Sequence, residues 1–225
     1  MKINYCLPII KSDKEEILKI IEENNNTYQY FEVWLESIDN PGNDFLEKII
    51  STLGDKLILL FSRENMVEKK LSNARKEEIV AFVKNRCLID LDVVSDKEVL
   101  KFIQKTNLEV KAIVSHHNYQ ETPQTDKLKE IIDTIKMYNP EIIKLSTMCK
   151  APDDALRLLE TLLKLKSQDV RSVILGMGKE GAITRVFGTL FGNELIYAPQ
   201  TVDEQSAAGQ LTKQQLETIF KELLK

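Results

Sequence analysis

Long apolar runs are absent from this 225-residue chain. No stretch approaches the ~20 residues needed to cross a bilayer, so no transmembrane helix is expected. The opening MKINYCLPIIKSDKEE has a short apolar run but neither a secretory hydrophobic region nor a small-residue cleavage site. Cysteine is scarce. Cys6, Cys87 and Cys149 are an odd number with no C-x-x-C spacing, which argues against a disulfide framework or a zinc ribbon. All three fall in or at the ends of apolar strands, where a thiol behaves as a small buried hydrophobe. An excess of basic charge is missing too. Lys and Arg total 31 against 35 Asp and Glu, for a net charge of -4, which argues against a nucleic-acid-binding surface. The charges are interspersed, so neither a disordered tail nor a polybasic membrane patch is indicated. A soluble cytoplasmic protein is expected.

What the chain does contain is a repeated pattern. A hydrophobic content of 43% is enough for a substantial core. Short apolar runs at 3–9, 30–37, 56–62, 87–93, 110–116, 142–148, 172–178 and 195–199 alternate with segments of helical periodicity. Ser12, followed by Glu15 three residues on, reads as the capping box of the first helix, and Gly54 as the glycine that ends the second. Strands apolar on both faces and separated by helices belong to a parallel sheet with crossover helices. Eight such units in a chain of this length fit a single (β/α)8 TIM barrel over residues 1–225, with a doubly wound open sheet as the competitor. No Pro/Gly/Ser-rich linker divides the chain. The polar residues that interrupt the apolar runs cluster at strand C-termini, the functional face of a barrel.

Lys144 is the third residue of IIKLSTM (142–148), flanked by Ile142, Ile143 and Leu145. A lysine in low dielectric loses the stabilisation of its charge, and the neutral amine is the nucleophile that forms an imine with a ketone. A stem that is buried while its ammonium snorkels to solvent is the plain alternative. The chain's two histidines, His116 and His117, are adjacent at the end of strand five. Strand alternation sends them to opposite faces. If Ile113 faces the core, so does His117, next door to Lys144 and suited to general acid–base work, with a structural histidine at a strand end as the plain alternative. Segment GMGKEGAITR (176–185) contains G-x-G-x-x-G, but it has no Rossmann context and dinucleotide binding is rejected. In a barrel this region often binds anions, and Arg185 is a candidate to clamp a carboxylate, with an exposed helix arginine as the plain alternative. Strand two carries Glu32, Trp34 and Glu36 on one face, strand three ends at Ser62-Arg63, and strand four carries Asp90 and Asp92. The polar loop PQTVDEQSAAGQ is suited to act as a mobile lid.

With these segments in this order, the chain resembles the type I 3-dehydroquinate dehydratases over nearly its whole length. SHHNYQETP (115–123) resembles the family's S-x-H-[DN]-[FY]-x-x-T-P segment. IIKLSTM resembles the strand bearing the Schiff-base lysine. GMGKEGAITRVFGTLFGNELIYA resembles M-G-x-x-G-x-x-S-R-x-x-G-x-x-F-G-S, and SAAGQ (206–210) resembles the S-A-P-G-Q lid. The resemblance implies Lys144 as the imine-forming lysine, His117 as general acid–base and Arg185 as the carboxylate-binding arginine. It further implies that Glu32, Arg63, Ser206 and Gln210 bind substrate. It implies dehydration of 3-dehydroquinate to 3-dehydroshikimate with no metal or organic cofactor, in a cytoplasmic homodimer with no nucleic-acid or membrane partner. The departures fall mainly in the N-terminal half. The family's E-x-R on strand two is Glu32-Val33-Trp34, so the arginine is lost. After Arg63 the family has a glutamate that supports the histidine, followed by two glycines. Here Val67 takes the glutamate spacing, Glu68 comes one residue late, and both glycines are absent. Glu68, Glu36 and Asp92 are the candidates for that support. Ala208 replaces the lid proline, and Asn193 replaces a serine. A class I aldolase acting on a sugar phosphate would share the lysine, and a dehydratase-like barrel that only binds metabolites is the non-enzymatic alternative.

Overall fold

The computed structural model describes residues 2–61 and 70–225. Arg63, Val67 and Glu68 therefore lie outside the described residues. The strands are β1 (Tyr5–Ile9), β2 (Tyr30–Trp34), β3 (Leu57–Leu60), β4 (Leu88–Asp92), β5 (Lys111–Asn118), β6 (Ile142–Met148), β7 (Ser172–Met177) and β8 (Ile196–Tyr197). The helices between and after them are α1 (Lys14–Asn24), α2 (Asn43–Leu53), α3 (Asn73–Val83), α4 (Lys97–Thr106) and α5 (Thr125–Lys136). Then follow α6 (Pro152–Ser167), α7 (Gly178–Phe191) and α8 (Lys213–Leu223). The sheet order β7-β6-β5-β4-β3-β2-β1-β8 is that of a (β/α)8 barrel, the fold class expected from the alternation.

Two of the expected boundaries move for a physical reason that the neighbouring side chains supply. The first helix is capped by Asp13, whose Oδ1 accepts from the Glu16 N–H at 2.9 Å, and Ser12 stays outside it. A carboxylate at the N-cap also meets the positive end of the helix dipole, which a serine hydroxyl does less well. Strand two stops at Trp34, and Leu35–Ser37 form a turn of 3-10 helix. That turn carries Glu36 out of the pleat toward the buried Lys76 of α3, 3.3 Å away.

The chain divides into two compact units, residues 1–7 with 114–225, and residues 8–113. In the first, β6 and β7 pair in parallel from Ile143↔Ser172 to Met148↔Met177. Paired residues in a parallel ladder share a face. Ile143, Leu145 and Thr147 therefore lie with Ser172, Ile174 and Gly176, and a Cβ on Gly176 would collide with Gly181 of α7 at 2.7 Å. That is the helix-covered face. Lys144, Ser146 and Met148 lie on the other, with Val173, Leu175 and Met177.

In the second unit β2, β3 and β4 run in parallel register: Glu32↔Ile58 and Trp34↔Leu60, then Ile58↔Leu88 and Leu60↔Asp90. Phe31, Val33, Leu57, Leu59 and Ile89 make one fully buried apolar face. Glu32, Trp34 and Asp90 share the other. Each buried aliphatic or aromatic side chain contributes about 1.5–3 kcal/mol of transfer free energy. Among the described residues no helix is long and apolar enough to cross a membrane.

Candidate active site

Lys144 is held where its strand position demands. Alternation places it on the face of β6 turned away from α6 and α7, and it is 5% exposed. Its neighbours Ile143 and Leu145 are buried on the helix side. The ammonium does not reach out to bulk water. Its Nζ lies 4.6 Å from the ring centroid of Tyr197 on β8.

Arg185 is the eighth residue of α7, which starts at Gly178 directly after β7 with no intervening loop. Three contacts make that abrupt start possible. Gly176 and Gly181 pack backbone to backbone, so that a Cβ on Gly181 would lie 2.4 Å from the Gly176 carbonyl carbon. The Thr184 hydroxyl accepts from the Gly176 N–H and donates to the Gly181 carbonyl, both at 2.7 Å. The glycine spacing that resembles a nucleotide motif is thus a strand–helix packing device. It delivers Arg185 to a site only 2% exposed, where Nε and Nη1 have no hydrogen-bond partner among the described residues. Burial pulls its pKa well below the ordinary arginine value, to about 10, and the phenol of Tyr197 opposes that pull. A buried guanidinium with open donors is suited to receive a carboxylate, since both forks of the ion pair are then satisfied.

The lid segment is organised in this structure. The Ser206 N–H donates to Gln210 Oε1 at 2.8 Å, and Gln210 Nε2 donates back to Ser206 Oγ at 2.8 Å. Gln205 Nε2 closes the turn onto the Gln210 carbonyl at 2.7 Å. The turn docks on the start of α7. The Gly178 N–H donates to the Ala208 carbonyl at 3.1 Å. Gly209, at φ +82°, passes so close that a Cβ there would meet the Gly178 oxygen at 2.5 Å. The two lid residues named from the sequence are therefore bonded to each other, and the glycine between them is required by both its backbone angle and its neighbour.

His117 stands near the end of β5, half-buried, its ring stacked on Tyr119 with centroids 6.2 Å apart and planes 21° from parallel. Ile113, Val114 and Ser115 before it are all fully buried, so burial alone does not separate the two faces of this strand. Thr122, four residues past the β5 end, joins the following strand. Its hydroxyl is 2.8 Å from Thr147 Oγ1 and 2.9 Å from the Met148 carbonyl. The three cysteines are free and buried, and burial pushes the Cys87 thiol up to about 12, which leaves it inert as a nucleophile.

In the second unit, Glu32 is 2% exposed and its Oε2 accepts from the Trp34 indole N–H at 3.0 Å. Two of the three carboxylates considered as support for His117 have structural work of their own. Glu36 contacts Lys76 and accepts from the Leu71 N–H at 2.9 Å. Asp92 Oδ1 accepts from the Val94 and Ser95 N–H groups at 2.9 and 3.1 Å, shaping the turn into α4. Asp96 joins the same cluster through Lys76 at 2.9 Å, and Lys76 Nζ also lies 4.9 Å from the Phe61 ring centroid. Sequence spacing singled out neither Tyr197 nor Lys76. Each shows its role only through a partner distant along the chain.

A family model described as type I 3-dehydroquinase matches residues 5–224. The chain is 26% identical over 224 residues to the 3-dehydroquinate dehydratase of Methanocaldococcus jannaschii, covering 96% of this chain and 97% of that one. Among solved structures it is similar to the 3-dehydroquinate dehydratase of Geobacillus kaustophilus, with a TM-score of 0.81 at 21% identity, covering 100% of this chain and 92% of that one. A type I enzyme of Clostridium difficile superposes with the same TM-score at 23% identity, covering 99% and 92%. At this level of identity the structural likeness shows the fold.

Proposed function

The chain belongs to the type I 3-dehydroquinase family, and from that membership we propose that it dehydrates 3-dehydroquinate to 3-dehydroshikimate through an imine on Lys144. The reaction is that of a hydro-lyase in the shikimate route to aromatic amino acids. The observation that carries the assignment of the amine is Lys144 itself, 5% exposed on the face of β6 opposite Ile143 and Leu145.

The chemistry follows from the residue types. The Lys144 amine adds to the ring ketone and water leaves, giving a protonated imine. That cation draws electrons from the neighbouring carbon and acidifies its C–H bond. His117 removes the proton, and the electron pair forms an enamine. The enamine expels the hydroxyl one carbon further on, protonated by the same His117, as the second water. One imidazole serves both transfers when the proton and hydroxyl leave from one face of the ring. A water then adds back to the imine, releasing the conjugated enone and restoring the amine. One water is lost overall. Arg185, with open guanidinium donors, receives the substrate carboxylate; Ser206 and Gln210 close over it, and Glu32 and Arg63 bind hydroxyls.

We further read residues 1–225 as one domain, working in the cytoplasm as a homodimer without nucleic acid, in keeping with a net charge of -4. A metabolite-binding barrel without turnover is the second reading, favoured by Trp34 standing where the family carries arginine and bonding Glu32. One experiment separates them. The protein incubated with 3-dehydroquinate should generate enone absorbance, and borohydride should trap a mass adduct on Lys144. Absorbance without an adduct would sink the imine mechanism. Neither signal, with substrate bound, would support the binding reading. An adduct with a sugar phosphate and none with dehydroquinate would indicate an aldolase.

A further inference from the structure

Tyr197 has no part in the mechanism above, yet it borders the amine most central to it. It stands on β8, paired with Cys6 of β1, and is 3% exposed. The Lys144 Nζ is 4.6 Å from its ring centroid. That is inside the ~6 Å range over which an aromatic face attracts a cation. The phenol of the same residue interacts electrostatically with the buried guanidinium of Arg185. One aromatic side chain thus lies against the amine on β6.

We infer that Tyr197 is the positioning residue of the Lys144 amine: the face of its ring is the surface on which Nζ rests. The inference rests on Lys144 being the amine that forms the imine. A lysine stem has four rotatable bonds, and ordering it costs about 2 kcal/mol of rotamer entropy. A ring face that meets Nζ before substrate arrives bears that cost in the resting protein, so the amine is already aimed when the ketone enters. The same face has a second effect. From condensation to enamine formation the nitrogen carries a positive charge on a residue only 5% exposed, and the negative face of the ring offsets it without supplying a proton or a competing base. The ring, and not the hydroxyl, carries this role.

Two substitutions separate ring from hydroxyl. Tyr197→Phe keeps the face and retains most of the turnover, with borohydride trapping of 3-dehydroquinate close to the parent rate. Tyr197→Leu removes the face, slowing trapping and kcat by about tenfold to thirtyfold while KM changes little, the span expected for a desolvated cation–aromatic contact. A Leu variant that traps and turns over like the parent overturns the inference. So does an equal loss in Phe and Leu, which would assign the role to the hydroxyl. If the Leu variant does not fold, the test passes to the parent protein. The Lys144 Cε methylene should show an upfield ring-current shift by NMR, retained in Tyr197→Phe, and an unshifted methylene overturns the inference. An absent adduct in the parent protein despite enone formation is a different failure. It removes the imine on Lys144, and the positioning role with it, whatever the Tyr197 variants do.

Discussion

The indole N–H of Trp34 donates to Glu32 Oε2 at 3.0 Å, two residues apart on β2 and both buried. Strand alternation puts the two side chains on one face, and the pair stands where the family pattern has glutamate and arginine. The glutamate is retained while its strand neighbour becomes a neutral donor. A charge-assisted hydrogen bond of this kind contributes about 1.5–3 kcal/mol. Trp34→Phe keeps an aromatic side chain and removes the donor. It should lower unfolding stability by about that amount in urea denaturation.

Lys144→Met should abolish the borohydride adduct and all turnover. His117→Ala should behave differently, because the imine forms without it. Its adduct with 3-dehydroquinate should persist while kcat falls by about 10²–10⁴-fold, the usual range for loss of a general acid–base. Mass spectrometry of the reduced protein, read beside enone absorbance, checks both.

Arg185 should divide stability from binding. Its pKa is depressed to about 10 by burial, so the folded state disfavours the charged guanidinium relative to the unfolded chain. That penalty is fully present below about pH 10 and is relieved as pH rises through that value. At neutral pH, Arg185→Met should leave the free protein as stable or more stable, by up to about 4 kcal/mol. The same change should lower kcat/KM by on the order of 10²-fold or more, because the substrate carboxylate loses its partner. Thermal unfolding with and without a carboxylate substrate analogue reads both effects, and the analogue should stabilise the parent more than the variant.

Gly209→Ala tests the lid. The residue sits at φ +82°, and a Cβ would press on the Gly178 oxygen at 2.5 Å. Left-handed backbone costs a non-glycine residue about 1–2 kcal/mol, enough to raise KM by about tenfold if the docked turn holds the substrate. The adduct on Lys144 should still form at saturating substrate. Unchanged kinetics would show that the turn docks without serving the site.

Lys76→Met should be among the most destabilising single changes in residues 8–113. Lys76 is buried between Glu36 at 3.3 Å and Asp96 at 2.9 Å. Removing one partner from a buried charge cluster costs about 3–5 kcal/mol. Urea denaturation of the variant beside the parent checks the amount.

How much of this was legible in the amino-acid order depends on the range of the interaction. The alternation of strands and helices was legible, because periodicity is written residue by residue. Strand β6 falls at the expected 142–148, since its apolar run ends where Cys149 and Lys150 lead into Pro152. The end of β2 was less so: a buried Lys76 draws Glu36 out of the strand, and nothing near position 36 announces it. Asp13 outcompetes Ser12 as cap through local chemistry that two neighbouring candidates left open.

By itself the sequence determined which residue types are available and in what order: a lysine inside an apolar strand, a histidine ending the strand before it, an arginine in the helix after the next strand. Tertiary structure decided what those residues meet. The packing of Gly176 on Gly181 sinks Arg185 until it is 2% exposed, and the register of β8 against β1 turns the ring of Tyr197 toward Lys144. The physical reason is that strand and helix periods are set by the local backbone. The surroundings of a buried charge are set by side chains that the fold brings in from far along the chain.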